Sequence, residues 1–468
     1  MRRYPNRTVI LSEAKNLANV LVQMGLTPSF ALCYAFGMRR VAVIFLFFVL
    51  GCGTDSNTTV LRVWDWWSPV EGEAMREYFR VVEETFERQH PGVDLRFQHI
   101  PFGPQYIQKI MAGMAAGRPP DVLHSSIIWA NDLYERGVLS DLRPFVERSP
   151  DMADEAWLRA ALRYGRDGDY IYGIPIEHDA SDIIYNLDLF EEAGISTDPF
   201  ALETWDDLRQ TAIRLTKRDE QGRVVQAGFM VPAGNVSNIL PWMYSNGGQF
   251  YAPDMRHAAF NSPEMIEAMQ FLQDLQYKDQ VSFPLATERQ DFQLFLQGKV
   301  AMFMNGTWAG HIIEEQAPNI RFQMTSFPRG PRGAQRGGMT WTNLMCVPKG
   351  AGNPELAWEF IRYYCGMHNA KWKLKSIDRN SPLAGFYETE EWREAVAESP
   401  SLKMVPHITE VGGLYPVVRY TEIEEIFRPL SDGLMLNTLT PQDVLDKAEV
   451  KVNAVLDRYY DELQEAYR

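Results

Sequence analysis

VLRVW at residues 60–64 opens the stretch of sequence that decides the fold. Its apolar residues indicate a strand, and the apolar residues after it recur at helical spacing: Met75, Phe79, Val82 and Phe86. Pro91–Gly92 ends that helix, and residues 93–98 then alternate apolar and polar side chains, as a half-buried strand does. A second helix, a short buried strand at 121–123 and a third helix at 128–136 follow. The order β-α-β-α-β-α predicts that this part of the chain forms an α/β lobe with a largely parallel sheet.

The rest of the chain continues to mix strands and helices. Short apolar runs predict further strands at 172–176, 183–185, 228–232, 300–304 and 339–347. Residues 204–217 and the stretch from about 420 to 465 are expected to be helical. Residues 328–338 are rich in glycine, proline and arginine, which indicates a loop.

Composition limits the class of protein. The chain has 468 residues, 46% of them hydrophobic and 12% aromatic, which predicts two or three domains with large cores and excludes disorder as the main state. The formal net charge of −15 argues against nucleic-acid binding, because phosphate contacts need a basic surface. The one long apolar run lies near the N-terminus, so a polytopic membrane protein is also excluded.

That run, VAVIFLFFVL at residues 41–50, follows Arg39–Arg40. A basic pair before a short apolar segment is the pattern of an export signal. Ten residues are too few to span a bilayer, which takes about 20. The end of the run, VLGC at 49–52, resembles a bacterial lipobox, in which the cysteine is acylated and becomes the first mature residue.

We therefore expect Cys52 to carry lipid and residues 1–51 to be removed. Within that segment, residues 1–37 are an upstream extension for which we expect no folded role. The small polar residues at 52–58 suit a flexible linker between membrane and domain. The alternative is an ordinary secretory signal in which the cysteine stands by chance.

Removal of this segment makes the protein more acidic. It holds six of the 46 basic residues and one of the 61 acidic ones, so the mature chain carries 40 basic and 60 acidic residues, a net charge of −20. Such a surface suits a neutral or cationic ligand better than an anionic one. Two cysteines remain beyond Cys52, Cys346 and Cys365, and either a disulfide or two buried thiols would fit an exported domain.

Motifs for covalent chemistry are absent from the sequence. No two of the eight histidines lie three or four residues apart, so HExxH and similar helical metal pairs are missing. There is no GxSxG, no P-loop and no GxGxxG. We therefore expect no cofactor and no metal. A pair of carboxylates for glycoside hydrolysis stays open, because acidic residues are plentiful and nothing singles out one pair.

Several segments in order carry a resemblance to a known family. They are the strand and helix at 61–86, RPPDV at 118–122, YGIP at 172–175, IYN at 184–186, TWDDL at 204–208 and FLQGKVAMFMNGTW at 295–308. In this order and spacing the chain resembles bacterial extracellular solute-binding proteins of the sugar-binding type, the family of maltose-binding protein, which serve ABC importers. The resemblance covers nearly everything after Cys52.

The resemblance implies a two-lobed periplasmic-binding-protein fold of type II, in which three hinge-crossing segments join two α/β lobes. These segments would lie near 174–177, 338–343 and 380–383. Lobe one would then comprise 59–174 and 343–380, and lobe two 178–338 and 383–468. The long loop at 328–338 and the aromatic start at 64–67 depart from the best-known members.

A sugar site needs flat rings for the C–H faces of a pyranose and polar groups for its hydroxyl rim. In α/β folds such residues lie after the carboxyl ends of strands. Aromatic candidates near strand ends and turns are Trp66, Trp67, Trp242, Tyr244, Trp308, Trp341 and Tyr415. Polar candidates beside them are Asp65, Ser125, Ser126, Glu177, Asp179, Asn246, Asn343 and Arg379. The resemblance places Trp308 where the family stacks an aromatic ring on sugar.

Structural roles compete with these assignments. Trp341 could belong to the core, Tyr244 and Asn246 could simply end a helix, and Arg379 could form a salt bridge between lobes. Glu177 and Asp179 flank the first crossing, where hinge hydrogen bonds are the alternative.

The sequence thus predicts a monomeric, lipid-anchored protein outside the cytoplasm that binds a sugar or oligosaccharide and delivers it to an ABC permease. It would catalyse no reaction and bind no nucleic acid. A protein of the same fold that binds a cationic ligand such as a polyamine is the first alternative, because the mature chain is acidic. A secreted glycoside hydrolase is the second.

Overall fold

The computed structural model describes residues 58–101, 104–232, 235–284, 288–376 and 380–466. The expected signal and extension at 1–51, the linker up to residue 57 including Cys52, and Arg379 lie outside the described residues. Within the described ranges, no helix combines the length and apolarity that a membrane span requires. The helices and strands of these described ranges fall in one compact unit, Thr59–Arg468.

The first part of the chain has the alternation that its sequence predicts. Its elements are β1 (Thr59–Asp65), α1 (Glu73–Gln89), β2 (Val93–His99), α2 (Pro104–Ala115), β3 (Val122–Ser125) and α3 (Ile127–Glu135). β1 lies between β2 and β3 and pairs with both in parallel. The predicted stripe of α1 faces inward, since Phe79, Val82 and Phe86 are buried, although Met75 is only half-buried. The β-α-β-α-β-α prediction is confirmed.

The middle of the chain contains one unusually long strand. The elements are α4 (Arg143–Val146), β4 (Arg166–Asp167), β5 (Tyr170–Ile171), β6 (Ile174–Asn186), α5 (Leu187–Glu192), α6 (Trp205–Leu215), β7 (Lys217–Arg218), β8 (Val224–Gln226), α7 (Val236–Ser245), α8 (Pro263–Gln273), α9 (Glu288–Leu296), β9 (Met302–Gly306), α10 (Ala309–Gln316) and β10 (Phe322–Thr325). β6 has 13 residues, and all of them are buried.

The strand expected at 228–232 does not form. The segment is buried, but its backbone N–H groups alternate between two partners: Gly228 donates to Val281, and Met230 donates to Met302. Only isolated bridges result, and Pro232 has no N–H to extend them. The sequence indicates that this segment is buried and has β propensity. It does not indicate that the backbone hydrogen bonds of the segment are divided between two different neighbouring segments.

The last part of the chain is mainly helical. Its elements are β11 (Met339–Cys346), α11 (Pro354–Cys365), α12 (Met367–Ser376), α13 (Glu390–Glu398), α14 (Val405–Glu410), β12 (Gly413–Leu414), α15 (Tyr420–Met435) and α16 (Pro441–Ala466). β11 and the C-terminal helices agree with the sequence predictions.

An eight-stranded sheet runs through the whole unit in the order β10-β6-β11-β3-β1-β2, with β9 paired to β6 and β12 paired to β11. β6 pairs with β11 along residues 174–180 and with β9 and β10 along its second half. β11 in turn pairs with β3. β6 and β11 therefore connect a first strand group (β1, β2 and β3) to a second strand group (β9 and β10).

The segment near 380–383 also joins distant parts of the chain. The Pro382 carbonyl accepts a hydrogen bond from the Leu158 N–H at 2.8 Å, and the Ala384 N–H donates to the Ala156 carbonyl at 3.0 Å. The lobe boundaries inferred from the resemblance stay a prediction.

Three apolar clusters stabilise the unit by removing large side chains from water. One packs α1, α11 and α12 against one face of the first strand group and extends to α9, α10 and the second strand group. A second packs α2 and α3 against the other face of the first strand group. The third packs α6, α7, α8, α15 and α16 around the second half of β6. Cys346 and Cys365 are both buried free thiols, and burial raises the pKa of each.

Asp182 gives a test of this packing. It lies on β6 opposite Asn305, it has no exposed surface, and neither carboxylate oxygen has a hydrogen-bond partner on another described residue. Burial raises its pKa well above the usual range, because an ionised carboxylate is unfavourable in an apolar interior. The folded protein therefore keeps a proton that the unfolded chain releases above about pH 4, and stability falls as pH rises.

We predict that Asp182→Asn is more stable than the wild type at about pH 8, and that this advantage shrinks toward about pH 5, by up to about 1.4 kcal/mol per pH unit. Thermal unfolding across pH measures it. The exposed Asp169, changed to Asn, is the matched control and should show no such trend. A stability difference that does not vary with pH would contradict the assignment of a neutral, buried Asp182.

Candidate functional site

A cavity of about 580 Å³ lies where the first and second strand groups meet on β6 and β11. Trp66 and Trp67, which follow β1, line it from the first group, and Trp308, which follows β9, lines it from the second. Ser126, at the start of α3, adds a hydroxyl. The volume is typical of small-ligand sites, and the walls come from segments far apart in the chain.

Nine of the residues predicted from the sequence line this cavity. They are Trp66, Trp67, Ser126, Glu177, Asp179, Trp308, Trp341, Asn343 and Tyr415. Trp341, for which the sequence allows either cleft or core, is half-buried with part of its surface on the cavity. The aromatic and polar residues that the sequence predicts near strand ends therefore form much of the cavity wall.

Asp65 and Ser125 lie behind the wall, and neither has exposed surface. The Asp65 carboxylate accepts from the Trp67 N–H at 2.9 Å and contacts His124 Nδ1 at 2.8 Å. The Ser125 hydroxyl donates to the Ser126 carbonyl at 3.2 Å. Asp65 therefore supports residues that line the cavity and does not line it itself.

Three further candidates, all on or after α7, do not line the cavity either. Trp242 is fully buried in the third apolar cluster, with its ring edge-on to Phe327 at 4.9 Å. The Tyr244 hydroxyl donates to the Leu414 carbonyl at 2.6 Å. Asn246 is buried and ends α7, as the helix-end interpretation had it.

The Asn246 side chain also holds the loop at 328–338. Its Oδ1 accepts from the Arg332 N–H at 2.8 Å, and its Nδ2 donates to Glu267 at 2.9 Å. Gly330 allows this contact, because a Cβ there would lie 2.4 Å from Asn246 Oδ1. The Asn246 side chain, which is a candidate ligand contact on sequence alone, therefore makes hydrogen bonds that hold this loop.

Other lining residues were not predicted. They are Met75, Ile127, Ile128, Ser181, Pro232, Ser237, Asn238, Asp291, Met304, Asn305, Gly306, His311, Ile312 and Met339. Two of them follow from strand periodicity: residues 177, 179 and 181 share a face of β6, and residues 339, 341 and 343 share a face of β11. Extending each predicted pair by two residues would have found Ser181 and Met339.

The indole rings are held firmly. Trp66 stacks on His124, with ring centroids 3.7 Å apart and an interplanar angle of 27°. Lys373 Nζ lies 4.9 Å from the centroid of the Trp67 ring. Trp308 packs against the backbone at Gly306, where a Cβ would lie 2.4 Å from the indole nitrogen. A glycine at that position is therefore needed for the close approach of the ring.

The cavity carboxylates are also held from behind. Glu177 accepts from Asn343 Nδ2 at 2.8 Å. Asp179 accepts from the Thr307 hydroxyl at 3.2 Å and from the Asn380 amide. Such partners fix the direction of the remaining lone pairs, so the carboxylates present oriented acceptors to the cavity.

The charge of the cavity wall is negative. The described residues that line it include Glu177, Asp179 and Asp291, whose side chains are carboxylates. No lysine or arginine is among these described lining residues. The described residues contain no group of three His, Cys, Asp or Glu side chains that could hold a metal ion. Aromatic faces with oriented acceptors form a binding surface for a polar, uncharged or cationic molecule.

Comparison with known proteins gives a consistent picture. A binding protein of Brucella abortus is 25% identical over 389 residues, which are 81% of this chain and 90% of that protein. The arabinooligosaccharide-binding protein of Bacillus subtilis is 22% identical over 74% of this chain and 81% of its own length. Both matches extend over most of each chain.

Among solved structures, an ABC substrate-binding protein of Listeria monocytogenes in complex with cycloalternan superimposes with a TM-score of 0.74 at 23% identity, over 86% of this chain and 99% of that one. Neighbours of this kind are two-lobed periplasmic binding proteins, which confirms the predicted two-lobed α/β fold, while the number of hinge-crossing segments stays a prediction.

The family profile described as bacterial extracellular solute-binding protein matches residues 67–366. Members of this family are solute-binding proteins of ABC transporters and not enzymes, which removes the glycoside hydrolase alternative. The relatives include binding proteins for oligosaccharides. With a match over more than half of its length, the chain belongs to the bacterial extracellular solute-binding protein family.

Proposed function

We propose that this protein binds a sugar or oligosaccharide in the cavity between its two strand groups and delivers it to the permease of an ABC importer. The observation that carries the proposal is one cavity that combines half-buried indoles with carboxylates oriented from behind. The oligosaccharide-binding relatives support the same ligand class.

The chemistry of the wall suits a pyranose. Indole faces cover its C–H faces, and the carboxylates of Glu177 and Asp179 accept hydrogen bonds from its hydroxyls. Three carboxylates, and no lysine or arginine, are among the described residues that line the cavity. These carboxylates would repel an anionic sugar. A neutral sugar meets acceptors that are already positioned.

Ligand contacts on both strand groups explain how binding could be reported to a permease. A molecule that touches Trp66 on one side and Trp308 on the other favours the arrangement in which both sides contact it. The outer surface of that closed arrangement would be what the permease recognises. β6 and β11 are the segments about which the two groups would move.

We infer that the mature protein is monomeric and anchored to the membrane by lipid on Cys52, with 52–58 as its linker. The lipobox-like VLGC at 49–52 supports the anchor. Mass spectrometry of the mature N-terminus tests it: acylated Cys52 as the first residue agrees, and an unmodified N-terminus would point to the ordinary secretory signal.

A cationic ligand such as a polyamine is the second candidate. It is favoured by the three carboxylates on the wall and by the mature charge of −20. The two candidates differ in how binding responds to salt.

We predict that Trp66→Ala and Trp308→Ala each weaken saccharide binding at least tenfold, about 1.4 kcal/mol or more, because each removes a ring that would cover a sugar face. Isothermal titration with arabinotriose, raffinose and maltotriose measures the affinity. Trp372→Ala is the matched control, since Trp372 is also half-buried but does not line the cavity. Unchanged affinity in both cavity variants would remove the indoles from the site.

Salt dependence separates the two ligand classes. We predict that the saccharide affinity changes less than about twofold between about 0.05 and 0.5 M NaCl, because a neutral ligand gains nothing from long-range attraction that salt screens. Spermidine in the same titration is the comparison. Tight spermidine binding that weakens steeply with salt, in a protein that binds none of the saccharides, would establish the cationic alternative.

A further inference from the structure

His124 lies on β3 directly behind the cavity and has no exposed surface. Its two ring nitrogens face two carboxylates: Nδ1 is 2.8 Å from Asp65 Oδ1, and Nε2 is 3.7 Å from Glu177 Oε2. A neutral imidazole has one N–H, which can serve the short contact to Asp65. The contact of Nε2 to Glu177 is too long for a hydrogen bond and is an ion-pair distance, so it is attractive when the imidazole is charged. The placement between two carboxylates therefore favours the cation.

The same imidazole ring supports the aromatic wall. Trp66 lies on it at 3.7 Å and 27°, and Trp67 meets it edge-on at 4.9 Å and 83°. Trp66 is also flanked edge-on by Tyr106 at 5.8 Å. A cation against an indole face is attracted by the electrons of the ring, more strongly where water is excluded. One buried histidine thus contacts both an indole and a carboxylate of the cavity wall.

Burial alone disfavours a charged His124, but the negative charges of Asp65 and Glu177 outweigh that effect and raise its pKa. The hydroxyl of Tyr106 on α2 donates to the His124 carbonyl. The hydroxyl of Tyr364 on α11 donates to Asp65 Oδ2 at 3.2 Å. Burial raises the pKa of both phenols, so they stay neutral and leave the two carboxylates as the charges that face the imidazole.

Two further elements pack against this group. On β11, the thiol of Cys346 is kept neutral by burial, which raises its pKa, and the amide of Asn343 shares Glu177 Oε2 with the histidine. On α12, Lys373 Nζ lies by the Trp67 ring and donates to the Ile176 carbonyl at 3.1 Å. His124 contacts the edge of the same Trp67 ring.

We propose that His124 is a positioning residue for saccharide binding, a buried cation that orients the Trp66 indole and the Glu177 carboxylate toward the cavity. The proposal rests on the saccharide-binding function proposed above. His124 does not line the cavity, so its effect on the sugar is exerted through those two side chains.

Loss of the proton at alkaline pH would reverse this arrangement. A neutral His124 keeps its N–H for one carboxylate, and the shorter contact is the one to Asp65. Glu177 then loses its cationic partner, and Trp66 loses the cation beneath it. Since the pKa of His124 is raised above its ordinary value, the favourable state is present at mildly acidic pH and is lost as pH rises through that pKa.

The test combines binding with a measurement that needs no ligand. Affinity for arabinotriose, raffinose and maltotriose is measured at several pH values between about 6 and 9.5, for the wild type and for His124→Gln. Tryptophan fluorescence of the ligand-free protein is titrated over the same range, because a protonated imidazole stacked on an indole quenches its emission. Trp66→Phe identifies the source of any change.

We expect wild-type affinity to fall at least tenfold as pH rises and the fluorescence to increase in step. In His124→Gln both quantities should be flat, with affinity near the alkaline wild-type value, and Trp66→Phe should lose the fluorescence step. His90→Gln is the matched control: His90 stacks on Phe86 at 4.1 Å and 26° but does not line the cavity, so its variant should titrate like the wild type.

A wild type whose affinity and fluorescence are both independent of pH would overturn the proposal, and so would a His124→Gln protein that binds as tightly as the wild type at about pH 6. If His124→Gln fails to fold, the wild-type and Trp66→Phe titrations decide alone. A Trp66-dependent fluorescence step in a protein that binds no saccharide would support the cation beneath the indole and overturn the saccharide function.

Discussion

The register of β6 is the constraint on which the rest of the structure depends. This strand is buried over all 13 residues and helps to connect the two strand groups, so its backbone must pair with β11 at one end and with β9 and β10 at the other. Successive side chains point to opposite faces, which places Glu177 and Asp179 on the cavity side and His178 on the other. A shift by one residue would bury both carboxylates on the wrong face and leave the cavity without its acceptors.

Carboxylates in such a place need compensation, because an unpaired buried charge is strongly unfavourable. The protein supplies it from behind the wall, through Asn343 and His124 for Glu177 and through Thr307 and Asn380 for Asp179. These partners come from four different segments of the chain. The polar side of the cavity is therefore assembled only when these segments of the chain have folded together. For the same reason, no short sequence motif identifies it.

The sequence was informative wherever local periodicity decides the outcome. Strand and helix patterns predicted β1 to α3 correctly, and aromatic residues after strand ends predicted Trp66, Trp67 and Trp308 as residues that the structure places on one cavity. The sequence was not informative where one local pattern is compatible with two different sets of tertiary contacts. Nothing in the order of residues says that Trp242 faces the third apolar cluster, because an amphipathic helix end allows either side. The role of His124 is not evident from the sequence, because the two carboxylates that face it, Asp65 and Glu177, lie 59 and 53 residues away in the chain.

Selectivity and motion involve the same strands. An indole accepts the C–H face of almost any sugar, so in the proposed function Trp66 and Trp308 would contribute affinity more than choice. An oriented carboxylate accepts a hydroxyl from a narrow range of directions, so choice among saccharides would lie with Glu177, Asp179 and Asn343. These three residues are on β6 and β11, the strands that connect the two strand groups. Under the proposed function, a sugar whose hydroxyls fit them would act directly on the segments about which the groups would move, so that recognition of the correct ligand and closure around it would become one step.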